Sequence, residues 1–80
     1  MKLPREISGQ ELANLLKEYG YKITRQTGSH MRLTTSLKGE HHITIPAHNY
    51  LKIGTLSSIL NDIALHLKME KSDLMKTLFS

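Results

Sequence analysis

Eighty residues suffice for one compact domain and leave no room for separate cofactor and substrate domains. There is no cysteine, which excludes disulfide frameworks and thiolate zinc sites; no stretch nears the roughly 18 apolar residues that cross a bilayer, so a soluble cytoplasmic protein with no membrane contact is expected. The net charge of +4 is placed unevenly: between Tyr19 and Asn61 the bases Lys22, Arg25, Arg32, Lys38 and Lys52 meet one acid, Glu40, while Lys2, Arg5, Lys17, Lys68, Lys71 and Lys76 are balanced by acids elsewhere.

Four of the five histidines, His30, His41, His42 and His48, lie in the same charged window. Such an accumulation suits a polyanion partner. Aromatic residues are few (Tyr19, Tyr21, Tyr50 and Phe79), so no base-stacking platform is evident.

Ser8-Gly9-Gln10-Glu11 reads as a capping box, followed by Leu12, Leu15, Leu16 and Tyr19 at helical spacing and by Gly20 as a left-handed stop. A first helix over about 9–19 is expected. Tyr21–Gln26 alternates, with Tyr21 and Ile23 on one face and Lys22 and Thr24 on the other. Thr27-Gly28-Ser29 is a turn. His30–Thr35 alternates again, with Met31 and Leu33 inward and His30, Arg32 and Thr34 outward. After the loop Ser36–Glu40, His41–Pro46 places Ile43 and Ile45 inward and His42 and Thr44 outward. Two consecutive hairpins make an antiparallel three-stranded meander with one apolar face to be covered. Leu56, Ile59, Leu60, Ile63 and Leu67 supply a covering helix that starts near Gly54 or Thr55, and a last amphipathic helix over about 70–79 carries Leu74, Leu78 and Phe79. The expected fold is α+β, αβββα with an extra C-terminal helix.

The polar face of the second strand carries the chemistry. His30 and Arg32 point the same way, and pairing across the Gly28 turn brings Lys22, Thr24 and Gln26 to that surface, with His42 and Thr44 from the third strand. An imidazole with an ordinary pKa of about 6.5 moves a proton at neutral pH. Neighbouring Arg or Lys stabilises the charge of a pentacoordinate phosphorane. RNA supplies its own nucleophile, the 2′-hydroxyl that DNA lacks. Each residue also has a plainer reading. Gly28-Ser29 is ordinary hairpin chemistry, a surface histidine is usually a solvated side chain, and Arg32 has Glu40 or Glu18 as an ion-pair partner. His41 and His42 face opposite ways on a strand and cannot chelate together. With no His-x3-His helix and no carboxylate cluster, no metal site is expected. Ser29 neighbours His30 but has no orienting acid nearby in sequence.

The order of signals resembles the HicA mRNA interferase toxins. The likeness is carried by Ser8-Gly9-x-Glu11-Leu12, Tyr19-Gly20-Tyr21, Arg25-Gln26-x-Gly28-Ser29-His30, Ile43-Thr44-Ile45-Pro46-x-His48 and Lys52-x-Gly54-Thr55-Leu56-x-x-Ile59-Leu60. It spans about 3–63, and the region after Leu65 is atypical. The resemblance implies a double-stranded-RNA-binding-domain-like αβββα fold with both helices on one sheet face. It implies a single HicA-like domain over 1–80, with a core of about 3–67. It further implies a metal-independent endoribonuclease that cleaves mRNA and stops translation, needs no cofactor, and is restrained by a HicB-like antitoxin. His30 takes the place of the family's catalytic histidine, and His48 matches its second motif histidine as a substrate contact or a structural residue. The RNA contacts expected are Lys22, Arg25, Gly28, Ser29, Arg32, His48 and Lys52. A second proton-transfer group is left open between His42, His48 and water. The alternative is a non-catalytic double-stranded-RNA-binding module, but such domains carry a lysine cluster at the second helix, where this chain has only Lys52. An inert interaction domain would require a buried His30.

Overall fold

The computed structural model describes residues 3–4 and 6–80; Lys2 and Arg5, counted above among the balanced charges, lie outside the described residues. Helix α1 (Gly9–Leu15) opens on the expected capping box. The Ser8 hydroxyl accepts from the Glu11 amide, and the Glu11 carboxylate accepts from the Ser8 amide, each at 3.0 Å. The α-helix stops four residues short of the expected end, because Leu16–Tyr19 tightens into a 3₁₀ turn. The Gly20 amide reaches back three residues to the Lys17 carbonyl (2.9 Å), and Gly20 turns the chain at φ +80°.

Strands β1 (Lys22–Thr27), β2 (His30–Thr35) and β3 (His41–Pro46) form an antiparallel sheet in the order β1-β2-β3. The β2–β3 register is unbroken from His30↔Pro46 to Thr35↔His41. Strict alternation therefore buries Met31, Leu33 and Thr35 of β2, and Ile43 and Ile45 of β3, on one face. Helices α2 (Ile53–Leu67) and α3 (Lys71–Phe79) complete the chain.

α1 and α2 both pack on β3, and α3 packs on α2. The core between sheet and helices holds Leu12 and Leu16 of the first helical segment, with Leu56, Leu60 and Ile63 of α2, all fully buried. Each such side chain withdrawn from water contributes roughly 1.5–3 kcal/mol before entropy is charged against it. α3 extends this core with Leu74, Met75 and Leu78. Because the helices lie over β3, the far edge of the sheet is poorly covered. Every residue of β1 is exposed, including Ile23, which faces the helical side yet keeps 41% of its surface. Beside it, an open groove of about 510 Å³ runs between α1 and β1, lined by Gln10, Asn14, Lys17 and Ile23 among others.

Candidate nucleic-acid interface

Only Gly28 and Ser29 separate β1 from β2, and Thr27 pairs directly with His30. Gly28 has φ +56° while Ser29 keeps a negative φ. That sign pattern belongs to a type II′ turn, which wants glycine at its first central position and matches the twist of the flanking strands. Nothing stands within 4 Å of the place a Gly28 Cβ would occupy, so backbone conformation and not crowding selects the glycine. His30 is thus the first residue of β2, exposed, on the face turned away from the helices. This removes the condition for the inert reading, which required its burial.

Along that outer face β2 presents His30, Arg32 and Thr34 against Pro46, Thr44 and His42 of β3. On the other side β1 contributes differently from the expectation. The β1–β2 register slips between Ile23 and Arg25, so that Thr24 is the extra residue of a β-bulge. The slip leaves Lys22 opposite Thr34 on the outer face but reverses the alternation beyond it. Arg25 stands outward, opposite Arg32, while Gln26 pairs with inward-facing Met31. Gln26 does not share the polar surface as the simple alternation suggested. Its place is taken by Arg25.

Arg25 and Arg32 are both exposed, and no ion pair involves either among the described residues. Arg32 does not pair with Glu40 or Glu18. Glu40 is taken by His42 instead, with Oε2 2.8 Å from His42 Nε2. His42 Nδ1 lies 2.8 Å from the Thr34 hydroxyl, which lies 2.9 Å from the Thr24 hydroxyl. This polar line crosses all three strands.

The other expected site residues are distributed unequally. The Pro46–His48 segment lies against the turn, since the Ala47 amide donates to the Ser29 carbonyl (2.6 Å) and the His48 carbonyl accepts from the Gly9 amide (3.0 Å). His48 is exposed there, and its backbone anchors α1. Lys22 sits opposite Thr34, four residues along β2 from His30, or roughly 13 Å. His42 is opposite the same residue, so it too is remote from His30. Lys52 is the N-cap of α2, in the helical layer, with no side-chain hydrogen bond to the helix.

His41 faces the opposite way from His42, as strand alternation requires. Its Nε2 donates to Asp62 (3.1 Å), which leaves Nδ1 to accept from the Tyr21 hydroxyl (2.7 Å). The His66 ring stacks on it at 4.3 Å and donates from Nε2 to the Leu37 carbonyl (2.8 Å). Burial, with Asp62 nearby, pushes the Tyr21 phenol up to about 12. Sequence reasoning missed this cluster. The available signal was an inward-facing tyrosine whose hydroxyl needs a partner. No group of three metal-ligating side chains occurs among the described residues.

The sequence profile described as "HicA toxin of bacterial toxin-antitoxin" matches residues 9–65. The chain belongs to the HicA toxin family. No curated protein and no solved structure was found to match it. The matched span runs from the first residue of α1 to within two residues of the end of α2, so it contains the Gly28-Ser29-His30 turn and the whole outer face. The three-stranded antiparallel sheet with its flanking helices is the αβββα arrangement expected of the toxin, and α3 lies beyond the matched residues. The match implies a toxin–antitoxin pairing, with this chain as the toxin. No helix among the described residues is long and apolar enough to cross a membrane.

Proposed function

We propose that the toxin is a metal-independent endoribonuclease that cleaves mRNA, with His30 as its catalytic group. The observation that carries this reading is an exposed imidazole two residues from Arg32, which faces Arg25 across the strands, neither guanidinium having an ion-pair partner among the described residues. Two residues along a strand is about 7 Å, within reach of one phosphodiester for long side chains. Arg25 and Arg32 would hold the non-bridging oxygens, where planar guanidinium donors suit phosphate. His30 would take the 2′-hydroxyl proton or supply one to the leaving oxygen. The 2′-oxygen attacks its own 3′-phosphorus, the bond to the 5′-oxygen breaks, and that oxygen leaves with a proton. The charge building on the phosphorane is the quantity the two guanidiniums stabilise.

Gly28 and Ser29 shape the turn at which the RNA strand would pass, and His48 stands at its border. Lys22 is too far along the sheet to share the reacting phosphate and, with Lys52 at the start of α2, would bind neighbouring ones. The same distance argument leaves His48 or water, and not His42, as the second proton carrier. A HicB-like antitoxin would restrain the toxin by covering this face with acidic or hydrogen-bonding groups.

Expression in a bacterial host tests the reading. The wild type should arrest growth and deplete mRNA, while His30→Ala should accumulate as folded protein and do neither. A His30→Ala protein as toxic as the wild type would refute the assignment. RNA binding by the wild type without cleavage would favour the non-catalytic module instead.

A further inference from the structure

We propose that the hydrogen-bonded line Thr24–Thr34–His42–Glu40 is a positioning device that holds the β1 bulge in place and thereby sets Arg25 beside Arg32 at the RNA phosphate. The proposal rests on the reading of the outer face given above, and it assigns a role to four residues that the reaction itself does not use.

The line is continuous from Glu40 to Thr24. A carboxylate only accepts, so His42 Nε2 donates to Glu40 at 2.8 Å. Nδ1 of the same ring lies 2.8 Å from the Thr34 hydroxyl. The Thr34 and Thr24 hydroxyls lie 2.9 Å apart, and the Thr24 hydroxyl also donates to the Arg32 carbonyl at 3.3 Å. Glu40 therefore keeps a proton on His42 Nε2, and the Thr34 and Thr24 hydroxyls tie that ring to β2 and β1.

What the line holds matters more than the line itself. Thr24 is the extra residue of the bulge, placed between the Ile23↔Leu33 and Arg25↔Arg32 pairs. A bulge that moved one residue toward the turn would carry Arg25 to the helical side, because a single-residue slip exchanges the two faces of a strand. There is a force in that direction. Arg25 and Arg32 stand directly opposite each other, and like charges in that relation destabilise a sheet. With no carboxylate paired to either among the described residues, the repulsion is relieved by an anion or by a slip. The line from Thr24 through Thr34 and His42 to Glu40 spans all three strands and opposes the slip, leaving the anion as the remaining relief.

The test uses His30→Ala protein, so that bound RNA is not cut, and a short single-stranded oligoribonucleotide titrated over a range of salt. Thr24→Val keeps the branched shape and removes the hydroxyl. It should weaken binding about tenfold, the worth of one charge-assisted contact, and lower the salt slope by about one phosphate. Thr24→Ser should restore both. Arg25→Gln should give the same loss, and Thr24→Val added to it should cost nothing more, because Thr24 acts through Arg25. Unchanged affinity in Thr24→Val, or losses that add in full, would overturn the positioning role. Nitrogen-15 spectra of the His42 ring supply a readout free of RNA. Nε2 should carry the proton, and Glu40→Ala should abolish that preference. A ring protonated mainly at Nδ1 would overturn the Glu40 link and the line with it. If the starting His30→Ala protein bound no RNA, the function reading would fall before any Thr24 variant was made, and the phosphate site with it.

Discussion

Replacing Gly9 by alanine should destabilise the toxin, although alanine is the better helix former. Gly9 is the first residue of α1, and a Cβ there would lie 1.9 Å from the Pro46 carbonyl oxygen, 3.0 Å from its carbon and 3.3 Å from the Ala47 Cα. All three are backbone atoms, so no rotamer change relieves the contact. Carbon and oxygen approach to about 3.3 Å in ordinary weak contacts, so α1 and the end of β3 must separate by more than about 1 Å. That movement breaks the Gly9 amide to His48 carbonyl bond, now 3.0 Å, and loosens α1 from β3. A lost hydrogen bond costs about 1 kcal/mol and overpacking about 1–3 kcal/mol, against a propensity gain of at most about 1 kcal/mol. The net loss is about 1–3 kcal/mol, or roughly 5–20 °C in Tm for a domain of this size. Urea unfolding followed by circular dichroism measures it. The strain also reaches the site, because Pro46 pairs with His30 and the Ala47 amide bonds Ser29. A Gly9→Ala protein as stable as the wild type, or more stable, would refute the close approach.

Alkaline unfolding should carry the signature of Tyr21. Its phenol is raised from 10.0 to about 12 in the fold, chiefly by burial, so the unfolded chain ionises first. The stability is whole below about pH 10 and is lost as pH rises toward about 12, at about 1.4 kcal/mol per pH unit. Tyr21→Phe should remove that slope while losing the hydroxyl's bond to His41, as urea midpoints over this pH window will report. Leu74→Ala should cost about 2–4 kcal/mol although it lies outside the family match, because Leu74 is fully buried. A cost below about 0.5 kcal/mol would mean that α3 is an accessory to the fold and not part of its core.

The elements that local chemistry specifies were legible in the sequence. The Ser8–Glu11 box starts α1 where it should, and the alternation of β2 and β3 sorts their residues onto the correct faces. His30 emerges exposed and beside Arg32 because a two-residue turn and strict alternation leave it no other position. β1 was harder. The turn sets Thr27 opposite His30, which puts Thr27 and Arg25 outward, yet the apolar Ile23 belongs inward. The two demands conflict by one residue, and a bulge at Thr24 reconciles them. That conflict was visible in the sequence as soon as the turn was fixed at two residues, and it would have given Arg25, already an expected RNA contact, its place on the outer face and taken Gln26 off it. The Glu40–His42 pair and the Tyr21–His41–Asp62 cluster depend on which loop and helix fold over the sheet, which no local pattern encodes. The 3₁₀ ending of the first helix is likewise decided by the Gly20 stop and the packing beyond it, and not by apolar spacing.

Purified toxin incubated with a defined mRNA in excess chelator tests the central claim most directly. The wild type should cut the RNA with the chelator present, and His30→Ala, shown to be folded by circular dichroism, should leave it intact. Loss of wild-type cleavage in chelator, or cleavage by His30→Ala at the wild-type rate, would contradict a metal-independent ribonuclease built on His30.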